Sequence, residues 1–311
     1  MSLWTQLLRG AALLPALWWA AAVGAASCPP PLPTSTAASA TAAKDRGLLW
    51  RATRDGRSSW LFGTLHVGSP GWRKLGPLTA AALRASDVLA LEVDPSDPAL
   101  LQAMADIRPP QPLPEALQKR LERAFERACM ATEALAALHP VLQATTLTVM
   151  EARWLGMDSL YAMEQVLSAQ VRLLGRRVVA LESAVAQIQA LVPADEEEAR
   201  NLLDQSLQQL EDKSARRVLQ RLAAAWEGGD LSTLEDFDGW CECAASATDR
   251  AFLRKLNDDR NAPLAEGIEN QHRLGSRVFA AVGALHMTGP QSLPRLLALR
   301  GFTVERVAFK R

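Results

Sequence analysis

The sequence contains one four-residue pattern twice, and each copy presents a histidine shortly after an apolar run. Gly63-Thr64-Leu65-His66 follows the run 60–62, and Gly283-Ala284-Leu285-His286 follows the run 278–282. Each run predicts a buried strand, and a glycine at its end permits a tight turn. Two of only four histidines therefore occupy equivalent places, where α/β sheets present their ligands beyond the strand carboxyl ends.

Two glutamates are placed in the same way after other apolar runs. Glu92 lies near the end of the run 88–93, and Glu182 directly follows the run 178–181. If all four strands are parallel, these side chains and the two histidines meet at one rim of the sheet. Two imidazoles with one or two carboxylates suit Zn²⁺, Mn²⁺ or Co²⁺ and leave a position for water. The pattern predicts a divalent metal site with His66, His286 and one of the glutamates as ligands.

Each of these residues also has an ordinary structural interpretation. A histidine at a strand end is commonly a hydrogen-bonded core residue, and a single glutamate there can interact with the positive end of the following helix. His139, before Pro140, and His272, on an amphipathic helix, are expected to be surface or packing residues. The argument for chemistry therefore depends on the matching positions of the two motifs.

Strands and helices alternate along the chain. Runs 48–53 and 59–62 flank Asp55-Gly56, which predicts a hairpin, and strands are also expected at 88–93, 178–181, 278–282 and 302–307. Helices are expected at 75–86, through most of 100–174, from Asp195 to about 274, and at 293–299. The predicted fold is α/β, with a mixed, largely parallel central sheet covered by helices on both faces and helical insertions near 100–160 and 190–275.

Composition excludes several classes of protein. With 311 residues, 49% of them hydrophobic and 22% charged, the chain is too apolar to be disordered. Lys plus Arg and Asp plus Glu balance at 34 each, so no basic face for nucleic acid is expected. The sequence also lacks His-Glu-x-x-His, Gly-x-Ser-x-Gly, a phosphate-binding loop and a dinucleotide fingerprint.

The first residues are typical of a targeting segment. Arg9 is the only charge before an apolar run at 11–23, and small residues at 24–27 suit a cleavage site. The run is shorter than the roughly 20 apolar residues of a membrane span. We predict a signal peptide at 1–26, a flexible tether at 27–46 and one domain at 47–311, in an exported protein, periplasmic or secreted. Alternatively, Ala25-Ala26-Ser27-Cys28 is a lipoprotein signal, and acylation of Cys28 anchors the protein to a membrane.

The four cysteines suit an oxidising compartment. Cys28, Cys129, Cys241 and Cys243 make an even number, which allows two disulfides in one of three connectivities. Cys241-Glu242-Cys243 is too tight for a zinc knuckle and has no second cysteine pair at zinc-finger spacing. A structural disulfide is expected here in preference to a reactive thiol.

The order of these motifs resembles the TraB/GumN family, which is related to the Tiki metalloproteases. The resemblance covers about 47–309, and the matching pieces are Gly63 to His66, Leu91-Glu92, Gly156-x-Asp158, Leu181-Glu182 with Gln187, Arg260-Asn261, and Gly283 to His286 followed by Gly289. One departure is Ser292, where such proteins usually have a second glycine, and a serine there can cap the next helix. The resemblance implies a fold shared with erythromycin-esterase-like and haem-binding ChaN-like proteins.

The resemblance also implies an activity and ranks the site residues. In the Tiki branch the activity is that of a metal-dependent peptidase, so a peptide or protein is the expected substrate. His66, Glu92 and His286 are then the expected ligands of the divalent metal. Glu182, Arg260 and Asn261 rank after them as candidate site residues. We expect the second glutamate to carry a proton, Arg260 to stabilise an oxyanion, and Asn261 to orient the substrate or that arginine.

Two other classes of function remain compatible with the same residues. The rim could hold haem, iron or a glycan without turnover, because histidine and carboxylate serve both purposes. It could also be the pocket of a degenerate scaffold that only stabilises the fold.

Overall fold

A computed structural model describes residues 28–32, 43–107 and 112–309. Within them, the strands are β1 (Leu48–Arg54), β2 (Arg57–Thr64), β3 (Val88–Leu91), β4 (Arg177–Ala180), β5 (Val278–Gly283) and β6 (Thr303–Arg306). They form one sheet in the order β4-β3-β5-β2-β1-β6. β2, β5, β3 and β4 are mutually parallel, while β1 pairs antiparallel with β2 and β6. The predicted mixed, largely parallel sheet is confirmed.

The hairpin at the start of the sheet follows from its turn residues. Asp55 and Gly56 have φ of 53° and 71°, the left-handed conformation that a two-residue turn between antiparallel strands requires. β1 and β2 then pair from Arg54 with Arg57 to Leu48 with Gly63. This register places the first histidine motif at the carboxyl end of β2.

Helices cover both faces of the sheet. Every residue of β3 is buried, as are the first five of β5. Because successive strand residues face opposite sides, burial at every position requires cover on both. The α-helices are α1 (Pro77–Ala85), α2 (Pro98–Asp106), α3 (Glu115–Ala128), α4 (Pro140–Met150), α5 (Met163–Leu173), α6 (Ala184–Leu191), α7 (Glu196–Glu211), α8 (Ser214–Glu227), α9 (Leu231–Glu235), α10 (Phe237–Trp240), α11 (Ala247–Leu256), α12 (Asp258–Arg273) and α13 (Leu293–Leu299).

Local sequence signals explain where several helices begin. Asp195 accepts hydrogen bonds from the backbone N–H groups of Glu197 and Glu198 and so caps α7. Ser292 occupies the cap position of α13, but its side chain makes no capping hydrogen bond there. The first turn of α13 instead contains a proline, whose φ is already restricted to a helical value.

The inserted helices have a core of their own. One apolar cluster surrounds the sheet, and a second joins α2, α3, α4, α6 and α7 through residues such as Leu121, Phe125, Leu147, Leu203 and Leu207. Leu203, Leu207 and Leu210, which recur at helical spacing along α7, are all in this second cluster. No helix in the part of the chain that the structure describes is long and apolar enough to cross a membrane.

All four cysteines are paired, as Cys28–Cys129 and Cys241–Cys243. The predicted signal peptide and positions 27 and 33–42 of the predicted tether lie outside the described residues. The last residues of that tether are fixed to the protein body. Asp45 accepts hydrogen bonds from the backbone of Leu78 and Thr79, and Arg46 pairs with Glu227 at 3.0 Å.

Candidate functional site

The strand order brings the four predicted rim residues together. Glu182, Glu92, His286 and His66 follow β4, β3, β5 and β2, which are neighbours in that order. Because these four strands are parallel, the four residues lie side by side along the carboxyl edge of the sheet, in the same order as the strands.

His66 is held by a carboxylate that the sequence did not identify. Its Nδ1 lies 3.1 Å from Glu164 Oε1, an oxygen that also accepts a 2.5 Å hydrogen bond from Thr64 Oγ1. About two thirds of the His66 side chain is exposed (67%), so the ring lies at the mouth of the site. The Glu164 carboxylate raises the pKa of His66, and water around the exposed ring limits that shift.

The loop that carries His66 is fixed by the segment 156–163. Gly68 and Asp158 exchange backbone hydrogen bonds of 3.0 and 2.9 Å, and the Leu65 carbonyl accepts from the Met163 N–H at 3.1 Å. A side chain at Gly68 would lie 2.1 Å from the Tyr161 carbonyl oxygen, so only glycine permits this approach. The Gly156-x-Asp158 motif therefore supports the first histidine.

His286 is buried, and its orientation is set by Asn261. Its Nδ1 lies 2.7 Å from Asn261 Oδ1, so Nδ1 carries the hydrogen and Nε2 keeps its lone pair. That Nε2 lies 3.8 Å from Glu92 Oε1, beyond hydrogen-bond distance. Burial lowers the pKa of His286 to about 4, so the ring is neutral at pH 7. A neutral imidazole with its second nitrogen hydrogen-bonded to an acceptor is the usual state of a metal ligand.

Glu92 is the central acid of the rim. Its Oε1 accepts a 2.7 Å hydrogen bond from the Gly283 N–H, and its Oε2 accepts from Arg260 Nη2 at 2.5 Å and Gln187 Nε2 at 3.3 Å. Burial alone would raise the pKa of this carboxyl, but the neighbouring His286, His66 and Arg260 outweigh it and lower the pKa to about 2. Glu92 is therefore a buried, ionised carboxylate.

Arg260 joins the two glutamates. Its Nε and Nη2 donate to both carboxylate oxygens of Glu182, and Nη2 also donates to Glu92. Nη1 donates to the Leu256 carbonyl at 2.8 Å, which leaves one of the five guanidinium N–H groups for another acceptor. Burial raises the pKa of Glu182 despite this pairing. Arg260 is thus mainly a clamp on the carboxylates, and Asn261 contacts His286.

The three ligand candidates converge beside Gly283. A Cβ atom at Gly283 would lie 3.3 Å from Glu92 Oε1, 3.4 Å from His286 Cδ2 and 4.0 Å from His66 Nε2. The three side chains predicted to bind one metal ion therefore approach one another at a position where a side chain would crowd Glu92 and His286.

The donor chemistry of this site fits a divalent ion. Buried Glu164 Oε2 and Asn261 Nδ2 have no hydrogen-bond partner, and Glu164 Oε2 is the only such carboxylate oxygen in the described part of the chain. Both belong to residues that hold a histidine by Nδ1, as the outer partners of metal ligands do.

One pair of donor atoms, on His286 and Glu92, lies slightly farther apart than two ligands of one bound ion. Nowhere within residues 28–32, 43–107 and 112–309 are three His, Cys, Asp or Glu side chains close enough to hold an ion as they stand. Ligands about 2.1 Å from a tetrahedral ion lie about 3.4 Å apart. The 3.8 Å between His286 Nε2 and Glu92 Oε1 would therefore close by a few tenths of an ångström, which is about the freedom of a side chain.

Comparison with known proteins gives one match. The family model described as the TraB/PrgY/gumN family matches residues 48–306. No curated protein and no solved structure matches the chain. The matched range contains both histidine motifs, both glutamates and Arg260-Asn261.

Proposed function

Because the chain belongs to the TraB/PrgY/gumN family, we propose that it is an exported, metal-dependent hydrolase that cleaves a peptide or protein. One observation carries the proposal. The only two histidines on the carboxyl rim of the described sheet each have Nδ1 beside an acceptor, Glu164 or Asn261, and the two rings converge beside Gly283, with His66 Nε2 4.0 Å and His286 Cδ2 3.4 Å from the Cβ position of that glycine. This is the arrangement of metal-binding imidazoles.

The proposed ligands are His66, His286 and Glu92, and the expected ion is Zn²⁺, Mn²⁺ or Co²⁺. When bound, such an ion lowers the pKa of a coordinated water and polarises a carbonyl oxygen. Asn261 keeps the His286 imidazole in the tautomer that leaves Nε2 available, and Glu164 orients the His66 ring through Nδ1. Arg260 offsets the charge of the two carboxylates, so that both glutamates stay buried at the rim.

Glu182 is the proposed proton carrier. It lies next to Glu92 on the rim, where the Glu182 N–H donates to the Glu92 carbonyl at 3.0 Å, and its carboxylate is not in the ligand set. A carboxylate there can take a proton from water at an Oε atom and return it to a leaving amine. The second Nη1 hydrogen of Arg260 is the proposed donor to the oxyanion, which is the role predicted for this arginine from the sequence.

Export is the second part of the proposal. Two disulfides among the described residues support an oxidising compartment. The Cys28–Cys129 disulfide uses the sulfur that a lipid would modify, so the pairing and lipid anchoring exclude each other in one molecule. The mass of the mature protein after thiol alkylation, with and without reduction, distinguishes a disulfide-bonded chain from an acylated one.

The metal assignment is tested by comparing histidines. We expect His66→Ala and His286→Ala, singly and together, to remove most of the bound metal and the chelator-sensitive cleavage of a peptide library. His272→Ala is the matched control, because His272 is buried but has both ring nitrogens hydrogen-bonded, to Ser59 and to the Arg54 carbonyl. That variant should keep its metal. A folded double variant with unchanged metal content, by elemental analysis, would exclude the ligand assignment.

Two further measurements on the purified protein distinguish the alternative functions from the proposed one. A strong visible absorption band in the purified protein would indicate haem and would favour a binding protein. Stability that does not change on adding metal, with no cleavage of any peptide, would favour a scaffold without activity.

A further inference from the structure

A groove lies between three inserted helices. It has a volume of about 460 Å³ and is bordered by α4, α7 and α11. Its apolar wall includes Val149, Leu191, Leu202, Phe252 and Leu256. This volume is within the range of small-ligand and substrate sites in proteins.

The helix α11 is only partly buried where it borders the groove. No residue of α11 is fully buried, and its apolar side chains Phe252, Leu253 and Leu256 are only half-buried. Among the described residues, one hydrogen bond joins α11 to α7, from Gln205 Nε2 to Asp249 Oδ1 at 2.9 Å. The helix is therefore attached at one point along α7, and its apolar face borders a space.

Two parts of the groove wall are connected to residues of the candidate site. Leu256 lines the groove, and its carbonyl accepts the 2.8 Å hydrogen bond from Arg260 Nη1. Leu191 also lines it and ends α6, the helix whose Gln187 donates to Glu92. A ligand in the groove would therefore lie against the elements that hold the two rim glutamates.

We propose that this groove binds an extended, apolar segment of the peptide that the rim cleaves, an inference that rests on the proposed hydrolase function. The apolar wall suits bulky aliphatic or aromatic side chains. The amides of Asn201, Gln205 and Gln209 on α7 also line or border it. Asn201 offers an amide donor and an acceptor, and Gln205 and Gln209 offer their amide oxygens, because their Nε2 atoms already donate to Asp249 and to the Glu242 carbonyl. A peptide backbone requires such polar partners and an acyl chain does not. The chemistry of the wall thus favours a peptide over a lipid chain.

Direct binding tests the groove without relying on turnover. The probe is a fluorescein-labelled Ala-Leu-Phe-Leu-Ala peptide, compared by fluorescence anisotropy with Ala-Ser-Asn-Ser-Ala. Ala251→Trp places an indole in the groove, and Ala247→Trp, on the same helix but outside the groove lining, is the matched control. We expect Ala251→Trp to weaken binding of the apolar peptide about tenfold or more, the effect of losing one buried apolar side chain. Ala247→Trp should bind as the wild type does.

The outcomes separate this inference from the proposed function. Equal binding of the two peptides, or unchanged binding by a folded Ala251→Trp, overturns the groove proposal. Phe252→Asp provides the same test if Ala251→Trp does not fold. Groove-dependent binding of decanoate without binding of the peptide identifies an acyl chain and also overturns it. Groove-dependent peptide binding that persists in His286→Ala, in a protein with no chelator-sensitive cleavage, supports the groove while the hydrolase proposal fails.

Discussion

The two ends of the parallel strands use the same residue types in opposite ways. At the amino end, buried His272 has Nδ1 3.2 Å from Ser59 Oγ and Nε2 3.2 Å from the Arg54 carbonyl. At the carboxyl end, buried His286 has Nδ1 2.7 Å from Asn261, while Nε2 faces Glu92 Oε1 at 3.8 Å. Each ring is oriented by a neighbour, but His272 has both nitrogens hydrogen-bonded, whereas Nε2 of His286 lies beyond hydrogen-bond distance of the carboxylate that it faces.

The ion pairs at the two ends differ in the same manner. Arg277 and Asp87 join the starts of β5 and β3 with side chains that are 50% and 43% exposed. Arg260 joins Glu92 and Glu182, whose side chains are each 8% exposed. One arginine with two buried carboxylates leaves a net negative charge at the carboxyl end. A buried polar group with unused bonding capacity indicates a ligand, whereas a fully bonded one indicates structure.

The largest expected difference is between the two arginines. Arg260→Ala removes the cation that pairs with both buried carboxylates, so we expect the free energy of unfolding to fall by about 3–5 kcal/mol. Arg277→Ala breaks an exposed pair and should cost about 1 kcal/mol or less. Urea unfolding of both variants at pH 7 measures the difference. Equal losses of unfolding free energy in the two variants would show that burial does not increase the contribution of the Arg260 ion pairs to stability.

The next comparison concerns what holds the two buried histidines. Asn261→Ala removes the acceptor at His286 Nδ1, and we expect metal affinity to fall about 10- to 100-fold, as for other outer partners of metal ligands. Ser59→Ala removes a partner of His272 and should cost about 1–2 kcal/mol of stability with unchanged metal affinity. Competition with a chromophoric chelator measures the affinities. A weaker metal site in Ser59→Ala would mean that the two ends are coupled.

The four residues at the carboxyl rim of the sheet could be predicted from the sequence because an apolar run shows where a strand ends. His66, Glu92, Glu182 and His286 were found because each follows a short apolar run and parallel strands end on one rim. The assignments of Arg260 and Asn261 came from a family resemblance, since nothing in a helical segment marks which residue faces a distant strand. The structure places both at the rim, with Asn261 on His286.

Other features depend on three-dimensional packing that residue spacing does not encode. Glu164 lies in the first turn of α5, and no local pattern connects it to His66, 98 positions earlier. The cysteine count predicted two disulfides but not their connectivity. The groove beside α11 was not predictable, because it depends on how loosely one amphipathic helix packs.

A smaller effect on stability and metal binding is expected from adding a methyl group at Gly283. Gly283→Ala places a methyl group 3.3 Å from Glu92 Oε1 and 3.4 Å from His286 Cδ2, a crowding that should cost about 1 kcal/mol and weaken metal binding. Gly228→Ala is the control, because its methyl would be 3.3 Å from a carbonyl of its own helix, at Ala224. Thermal shifts with and without added metal report both effects. A Gly283→Ala protein that is stabilised by metal as much as the wild type would place the ion elsewhere.

The smallest expected effect is the pH response of the exposed pair at the amino end. Arg277 lowers the pKa of Asp87 from 3.8 to about 2 by side-chain and backbone hydrogen bonds of 2.6 to 3.0 Å. A carboxyl with a lowered folded-state pKa adds stability that is fully present above its unfolded value and is lost as the pH falls toward 2. Solvent screening limits this contribution to about 1 kcal/mol or less. Asp87→Asn should therefore be slightly less stable than the wild type at pH 6, and the difference in urea midpoint should vanish near pH 2. A difference that stayed constant over this range would mean that Asp87 acts through packing and hydrogen bonds rather than through its charge.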